Sequence, residues 1–271
     1  MENKIYNDSY DQGIIPNILK WVTPNASVLE FGAATGYMTQ YMHEKLNCDV
    51  TIVELSEEMA RKASRFASQT IIANLETDNW YSQIEGKYDY ILFADVLEHL
   101  RNPSTVLEKA ITLLKPNGYI LTSIPNIGHN SVLMELWKGE FNYRPYGLLD
   151  NTHVSFFTRK SLVETFSQLG LKSIAESDQI VHPSITEMKN SYFSLPFLSF
   201  FLLRRKDAHV YQFINKWSRT DTPEAECKLK VKRLSFAQAF VAILDDMNEH
   251  LHNKYNFKIQ LPKQIKKIVR K

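Results

Sequence analysis

The chain has 271 residues, 44% of them hydrophobic, and a formal net charge of only +2 at pH 7. This length allows one sizeable core, or a core with a small appendage, and the near-zero charge argues against a nucleic-acid partner. The two cysteines, Cys48 and Cys227, lack metal-site spacing, and no run reaches the roughly 18 apolar residues of a membrane span. We therefore expect a cytoplasmic protein.

Strand and helix patterns alternate through the first two thirds of the sequence. Strands are predicted, in chain order, at SVLEFG, DVTIVEL, QTIIANL, YDYILFAD and YILTSIPN. Helices are predicted at TGYMTQYMHEKL, at SEEMARKASRFA with Ser56 as N-cap, and at NPSTVLEKAITLLKPNG. This alternation predicts an α/β fold, a doubly wound and mostly parallel sheet with helices on both faces. Such sheets bind ligands at the carboxyl ends of their strands.

The pattern changes after the fifth strand. Residues 126–158 are aromatic and irregular, which predicts a lid or insertion over the strand ends. A helix, a glycine and a strand follow, so we expect a core domain over residues 1–184. Residues 185–271 are expected to form a helical elaboration. Within it we favour a late strand over a helix at 236–244, and the chain ends in a basic tail.

The stretch VLEFGAATGYMTQYM joins the first strand to the first helix through a glycine-rich turn. A dinucleotide site requires Gly-x-Gly-x-x-Gly, but from Gly32 the next two glycine positions hold Ala34 and Tyr37. S-adenosylmethionine fits better, because it carries a sulfonium cation and no phosphate. Glu30 supplies an acid near that cation, and Gly32 and Gly36 would let the methionine part lie against the backbone.

Two further strand ends complete the predicted cofactor site. Glu54 ends the second strand, where a carboxylate can accept hydrogen bonds from both ribose hydroxyls. Asn74 and Leu75 end the third strand, and would meet the adenine amino group and the adenine ring. Taken singly, the acids could be solvated and the glycines could be ordinary turn residues; their combined spacing favours the cofactor.

The sequence resembles the class I S-adenosylmethionine-dependent methyltransferases in VLEFGAATG, VTIVELS, IIANLE, YDYILFADVLEHLRNP and LLKPNGYILTSIPN. The resemblance covers roughly residues 25–180 and implies a seven-stranded sheet with one antiparallel edge strand. The chain departs from the family at Ala34, where glycine is usual, and at Asn74, where aspartate is usual. We expect the first departure to cost little, since alanine is small, and the second to weaken the adenine contact.

The segment ADVLEHL is expected to lie where the methyl group is transferred to the acceptor. Transfer of a methyl group to an alcohol needs a general base, or a metal that stabilises the alkoxide. Asp95 is expected near the sulfonium group, and Glu98, His99 and the distant His153 are the candidate catalytic residues. The same four side chains could instead hold a divalent metal such as Mg²⁺.

An acid-x-x-Glu-His stretch with a distant histidine resembles metal-assisted O-methyltransferases, including those of ubiquinone synthesis and of small-RNA 2′-O-methylation. The RNA enzymes have a second histidine where this chain has Leu100, which argues against RNA. Metal-free relatives show a similar Glu-His pair, so both mechanisms stay open.

Residues 123–162 are similar to methyltransferases of bacterial surface-polysaccharide synthesis, which implies a sugar or glycan hydroxyl as acceptor. Four aromatic residues there would suit stacking on sugar faces, or would simply pack the lid: Trp137, Phe141, Tyr143 and Tyr146. Arg144 and Asp150 could bond hydroxyls or a phosphate. Two alternatives are a phenolic or quinone-precursor acceptor and a non-catalytic cofactor-binding partner subunit.

The last segment raises the question of a membrane. The tail KIQLPKQIKKIVRK has six basic residues and no acid, and LPFLSFFLLRR is strongly apolar. Both could touch an anionic membrane surface peripherally. The apolar stretch could equally pack on the core or form a homodimer contact.

Overall fold

The computed structural model of the protein describes residues 17–223 and, further on, 239–241, 243–244, 246–247 and 252. The basic tail lies outside these residues. In the described chain no helix has both the length and the apolar character needed to cross a bilayer. Contacts divide the described residues into a core unit, residues 17–125, 152–179 and 212–223, and a second unit, residues 126–151, 180–211 and those described from 239 onward.

The central sheet confirms the predicted fold class. Its strands are β1 Ser27–Phe31, β2 Asp49–Glu54, β3 Gln69–Ile72, β4 Tyr88–Ala94, β5 Leu114–Pro125, β6 Leu171–Glu176, β7 Gln179–Ile180 and β8 Val210–Arg219. Seven of them run in the order β3-β2-β1-β4-β5-β8-β6, and the two-residue β7 pairs with β8. Strands β1 to β5 are mutually parallel, and β8 is antiparallel to both neighbours. The resemblance implied an antiparallel strand at the edge of the sheet. In the structure this strand, β8, lies inside the sheet, between β5 and β6.

The first two helices agree with the prediction, whereas the third ends at Thr112, because its predicted closing residues 114–118 belong to β5. In the core unit the helices are α1 Tyr37–Leu46, α2 Glu57–Ala63, α3 Pro103–Thr112 and α5 Arg159–Gln168; in the second unit, α4 Asn130–Trp137 and α6 Pro196–Leu203. Ser56 caps α2 as expected, since its side chain accepts a hydrogen bond from the Met59 N–H. The apolar side chains of β1, β2 and β4 are buried, as expected for strands covered on both faces.

Strand β8 corrects the prediction of helix over residues 185–235. It hydrogen-bonds to β5 and β6, and its Trp217 is fully buried. The Trp217 ring stacks on Phe166 with 4.0 Å between centroids, and its Nε1 donates to Thr122 Oγ1 at 2.9 Å. The late strand at 236–244 is also wrong, because the described residues 239–241 and 243–244 are helical. The sheet takes its last long strand from earlier in the chain.

The predicted lid is divided differently. Residues 126–151 belong to the second unit, whereas the predicted lid residues 152–158 belong to the core unit. The second unit has its own apolar cluster, formed by Met134, Tyr192, Leu202, Leu203 and Ala239. His153 is thereby placed in the same unit as the strand ends of the sheet.

Candidate active site

The turn between β1 and α1 is tightly constrained. Gly32, Ala34 and Gly36 have positive φ angles of 69°, 48° and 86°. A Cβ atom on Gly32 would lie 2.6 Å from Val96 Cγ2, and one on Gly36 would lie 2.6 Å from Ala63 Cα. Both positions therefore require glycine. Ala34 carries the cost of a left-handed conformation, roughly 1 kcal/mol, which the size argument from the sequence overlooked.

Glu54 closes this turn from the neighbouring strand. Its Oε2 accepts a hydrogen bond from the Ala34 N–H and its Oε1 accepts one from the Ser56 N–H, both at 2.9 Å. Each carboxylate oxygen can accept a second hydrogen bond. The buried Glu54 carboxylate is thus fixed at the carboxyl end of β2, with acceptor capacity suited to two ribose hydroxyls.

Glu30 lies deeper than expected. Its side chain is only 1% exposed, and Oε2 accepts a hydrogen bond from Thr39 Oγ1 at 2.6 Å. Among the described residues no group donates to Oε1. Burial raises the pKa of Glu30 to about 7; the Thr39 hydrogen bond opposes this shift and the charge of Glu54 adds to it. Glu30 supports the first turn of α1 through Thr39, and its contact with the cofactor stays a prediction.

Asn74 and Leu75, at the end of β3, both make hydrogen bonds within the protein. Asn74 Oδ1 accepts a hydrogen bond from the Glu76 N–H at 2.9 Å, which builds the turn. Leu75 is buried, and its carbonyl accepts from Trp80 Nε1 at 3.0 Å. Leu55, which directly follows Glu54, is 66% exposed. It is a candidate adenine contact that the sequence analysis missed, although an apolar residue at a strand end was its signal.

Asp95 follows β4 in a left-handed conformation, with φ at 54°. Its Oδ1 accepts a hydrogen bond from Gln212 Nε2 at 2.6 Å. Gln212 lies on β8, the strand that was mistaken for a helix, and its role could not be predicted for that reason.

Glu98, His99 and His153 form a compact cluster, although His153 is 54 residues from His99. One ligand atom from each side chain lies within 4.8 Å of the other two, and Glu98 and His153 are buried. The two imidazole rings meet edge to face, with 4.8 Å between centroids. The Glu98 carbonyl accepts hydrogen bonds from two N–H groups just after His153, which ties the segments together. Asp95, predicted as a fourth metal ligand, lies outside this cluster.

The orientation of the His99 ring is fixed by Thr152. His99 Nδ1 lies 3.2 Å from the Thr152 carbonyl oxygen. The Thr152 hydroxyl lies 3.1 Å from the same nitrogen, so Nδ1 either donates to the carbonyl or accepts from the hydroxyl. In both cases Thr152 holds the His99 ring in place beside His153.

The second unit holds the other residues considered from the sequence. His129 is completely buried and caps α4, since its Nδ1 accepts from the Ser131 N–H at 3.1 Å. Its role is structural. Arg144 contacts Glu135, with 3.5 Å between Nη2 and Oε2. Four aromatic side chains are exposed: Trp137, Phe141, Tyr143 and Tyr146.

The strand order, the glycine turn and the acid at the end of β2 define a class I S-adenosylmethionine-dependent methyltransferase. Comparison with known families agrees: residues 9–176, more than half of the chain, match the model described as "Methyltransferase domain". The chain belongs to this family.

Similar proteins include methyltransferases acting on oxygen. The ubiquinone biosynthesis O-methyltransferase of Acinetobacter baylyi is 25% identical over 172 residues, covering 59% of this chain and 71% of the relative. That of Hydrogenovibrio crunogenus is 26% identical, covering 54% and 62% respectively. A solved SAM-dependent methyltransferase from Methanosarcina mazei has a TM-score of 0.52 at 13% identity, covering 76% of this chain and 98% of its own. It shares the fold.

Proposed function

We propose that this methyltransferase transfers the methyl group of S-adenosylmethionine to a hydroxyl oxygen. The observation that carries the proposal is the cluster of Glu98, His99 and His153 just after β4. An oxygen acceptor must lose its proton during transfer, whereas the sulfonium group needs no further activation. A cluster of two imidazoles and a carboxylate at a strand's carboxyl end can provide that proton acceptor.

In the transfer, a lone pair of the hydroxyl oxygen attacks the methyl carbon in line with the breaking carbon–sulfur bond. The bonding electrons pass to sulfur, which becomes a neutral thioether. The hydroxyl proton passes to a ring nitrogen of the His99 and His153 pair, and Thr152 holds the His99 ring through its contacts with Nδ1. The nearby Glu98 carboxylate, 4.0 Å from His153 Nε2, would stabilise positive charge on the pair of rings. The rest of catalysis is positioning.

A divalent cation is the alternative way to prepare the acceptor. Glu98, His99 and His153 would hold it, and the cation would stabilise the acceptor as an alkoxide. The donor set fits a cation, since its atoms are close together and His99 is oriented by a second hydrogen bond. Two imidazoles and one carboxylate suit Mn²⁺, Fe²⁺ or Zn²⁺ better than the Mg²⁺ expected from the sequence.

For the acceptor we propose a sugar or glycan hydroxyl of bacterial surface-polysaccharide synthesis. The similarity of residues 123–162 to methyltransferases of surface-polysaccharide synthesis supports this choice. A phenolic or quinone-precursor hydroxyl is the second candidate, favoured by the ubiquinone O-methyltransferases among the similar proteins.

The test is incubation of the protein with methyl-labelled S-adenosylmethionine and separated pools of cell-envelope glycan intermediates and phenolic metabolites. Label in a glycan supports the first acceptor, and label only in phenols replaces it with the second. His99→Ala and His153→Ala should lower turnover by roughly 10²- to 10⁴-fold while cofactor binding persists. His43→Ala, on the exposed side of α1, is the control. Cofactor binding without turnover on any acceptor would instead indicate a non-catalytic subunit.

The metal is tested separately. Isothermal titration with Mn²⁺ or Zn²⁺, compared between the native protein and Glu98→Gln, reports binding without any need for activity. Turnover that survives chelation, with no metal-binding heat, would leave His99 as the proton acceptor.

A further inference from the structure

The helix α6 is apolar on its outer face as well as its inner one. Leu202 and Leu203 are buried in the cluster of the second unit, and Ser199 is buried with its hydroxyl donating to the Tyr192 carbonyl. Phe197 and Phe201 lie on the opposite side, 90% and 69% exposed. These two are one helical turn apart and so form a continuous phenyl surface. Large exposed apolar side chains so close together usually mark a binding surface.

The charges next to α6 in the sequence have one sign, and Asp246, an acid from later in the chain, is buried and accepts hydrogen bonds from Ser191 Oγ and the Phe193 N–H. Residues 189–206 include four basic residues and no acidic one. Arg205 and Lys206 follow the helix directly and are exposed, and Arg205 Nη1 donates to the Gly128 carbonyl and to Asn130 Oδ1, both neutral groups. Asp207, the first acid after them, is half-buried. Exposed positive charges therefore come directly after the helix that carries the two phenyl groups.

We propose that the outer face of α6 docks the protein on an anionic phospholipid surface. Phe197 and Phe201 would enter the boundary between headgroups and acyl chains, and Arg205 and Lys206 would meet the lipid phosphates. An eight-residue helix is about 12 Å long, much too short to span the roughly 30 Å core of a bilayer, so the contact is peripheral.

A second copy of the chain fits this face less well than a lipid surface does. Two phenyl groups bury roughly 200 Å² each. Two such faces packed together stay well below the roughly 1,200 Å² of a stable protein interface. Like charges would also meet across a symmetric contact. A lipid surface requires no such area and complements the positive charge.

The experiment measures co-sedimentation of the full chain with phosphatidylcholine vesicles and with vesicles of equal parts phosphatidylcholine and phosphatidylserine. We expect binding to the anionic vesicles that weakens at high salt. Phe197→Ser and Phe201→Ser should each reduce it roughly 10-fold. Lys206→Gln should reduce it roughly 5-fold. Ile185→Ser, which removes a 74% exposed apolar side chain elsewhere in the second unit, should change it little.

Heat of S-adenosylmethionine binding serves as the check that each variant is folded. Equal binding of native protein and both phenylalanine variants would overturn the proposal, as would failure of the native protein to bind anionic vesicles. Self-association that Phe197→Ser abolishes, without vesicle binding, would assign the face to a second copy of the chain instead. None of these results depends on the methyl acceptor.

Discussion

The carboxylate of Glu54 accepts a hydrogen bond from the backbone N–H of Ala34, 2.9 Å away and 20 residues earlier in the chain. This contact joins the end of β2 to the glycine turn that follows β1. The carboxylate fixes the turn through its backbone bonds, and we expect its remaining acceptor positions to bind a ribose.

Replacement of Glu54 by glutamine should separate the charge of this group from its shape. The amide can still accept one hydrogen bond but loses the charge-assisted bonds to ribose. We expect S-adenosylmethionine affinity to fall about 10- to 100-fold in isothermal titration. Glu57→Gln, an exposed acid on α2 that pairs with Arg61, is the control and should bind normally. Unchanged affinity in Glu54→Gln would remove this residue from the cofactor site.

The Gly36 position should be far more sensitive than an ordinary turn glycine. Gly36 and Gly86 have nearly the same φ, 86° and 87°, but only at Gly36 would a Cβ meet another atom, Ala63 Cα at 2.6 Å. Gly86→Ala should cost about 1 kcal/mol of unfolding free energy for the left-handed backbone alone. Gly36→Ala should cost about 2–4 kcal/mol, because α1 and α2 must move apart. Urea unfolding of both variants measures the difference; equal losses would contradict close packing here.

Local chemistry explains why the strand ends and the glycine turn of the proposed cofactor site could be located from the sequence. Glu54 and the two glycines of the turn lie within short sequence distances of strand ends, and parallel strands bring those ends together automatically. Thr39 and Thr152 were missed, because each matters only through a contact that folding creates. The Glu30 carboxyl was placed correctly along the chain, but its depth of burial depends on packing that no local pattern reveals.

Strand β8, by contrast, could not be predicted from its local sequence. Val210, Ile214 and Trp217 have helical spacing, so the segment reads as an amphipathic helix. In the sheet both faces of β8 are covered, and even Asn215 is buried, with its side chain donating to Ser173 Oγ at 3.1 Å. Pairing with β5 and β6 decides the conformation, and the identity of those partners is not encoded within the segment.

The buried Glu30 should make the core unit less stable at high pH. Its pKa in the folded protein is about 7, above the ordinary 4.5, so the folded state holds this proton more tightly. The associated stability is complete below the unfolded pKa and is lost as pH rises through about 7. Glu30→Gln mimics the protonated form. Without cofactor, it should be more stable than the native protein by about 2–3 kcal/mol near pH 8, and by little near pH 5.

Urea unfolding at the two pH values gives this comparison directly. Glu57→Gln, exposed on α2, is again the matched change of charge and should show no such dependence. If Glu30→Gln and the native protein lost stability in parallel between these pH values, the Glu30 carboxyl would not be held protonated by burial.

The second unit should respond to pH in the opposite direction, through its buried histidines. Burial, with a smaller contribution from the nearby His182, lowers the pKa of both His129 and His209 from 6.5 to about 4. His129 also uses both ring nitrogens while neutral, since Nε2 donates to the Val181 carbonyl and Nδ1 accepts from Ser131. The unfolded chain therefore takes up protons first, and stability is lost as pH falls from about 6.5 towards 4.

His129→Asn should keep the cap on α4, because asparagine is a good N-cap residue, but should remove the titration. Between about pH 7.5 and pH 5 the native protein should lose about 2 kcal/mol more unfolding free energy than this variant. His43→Asn, on the exposed surface of α1, should follow the native protein at every pH. An equal loss in native protein and His129→Asn would mean that the His129 ring is already charged, or reaches water, in the folded state.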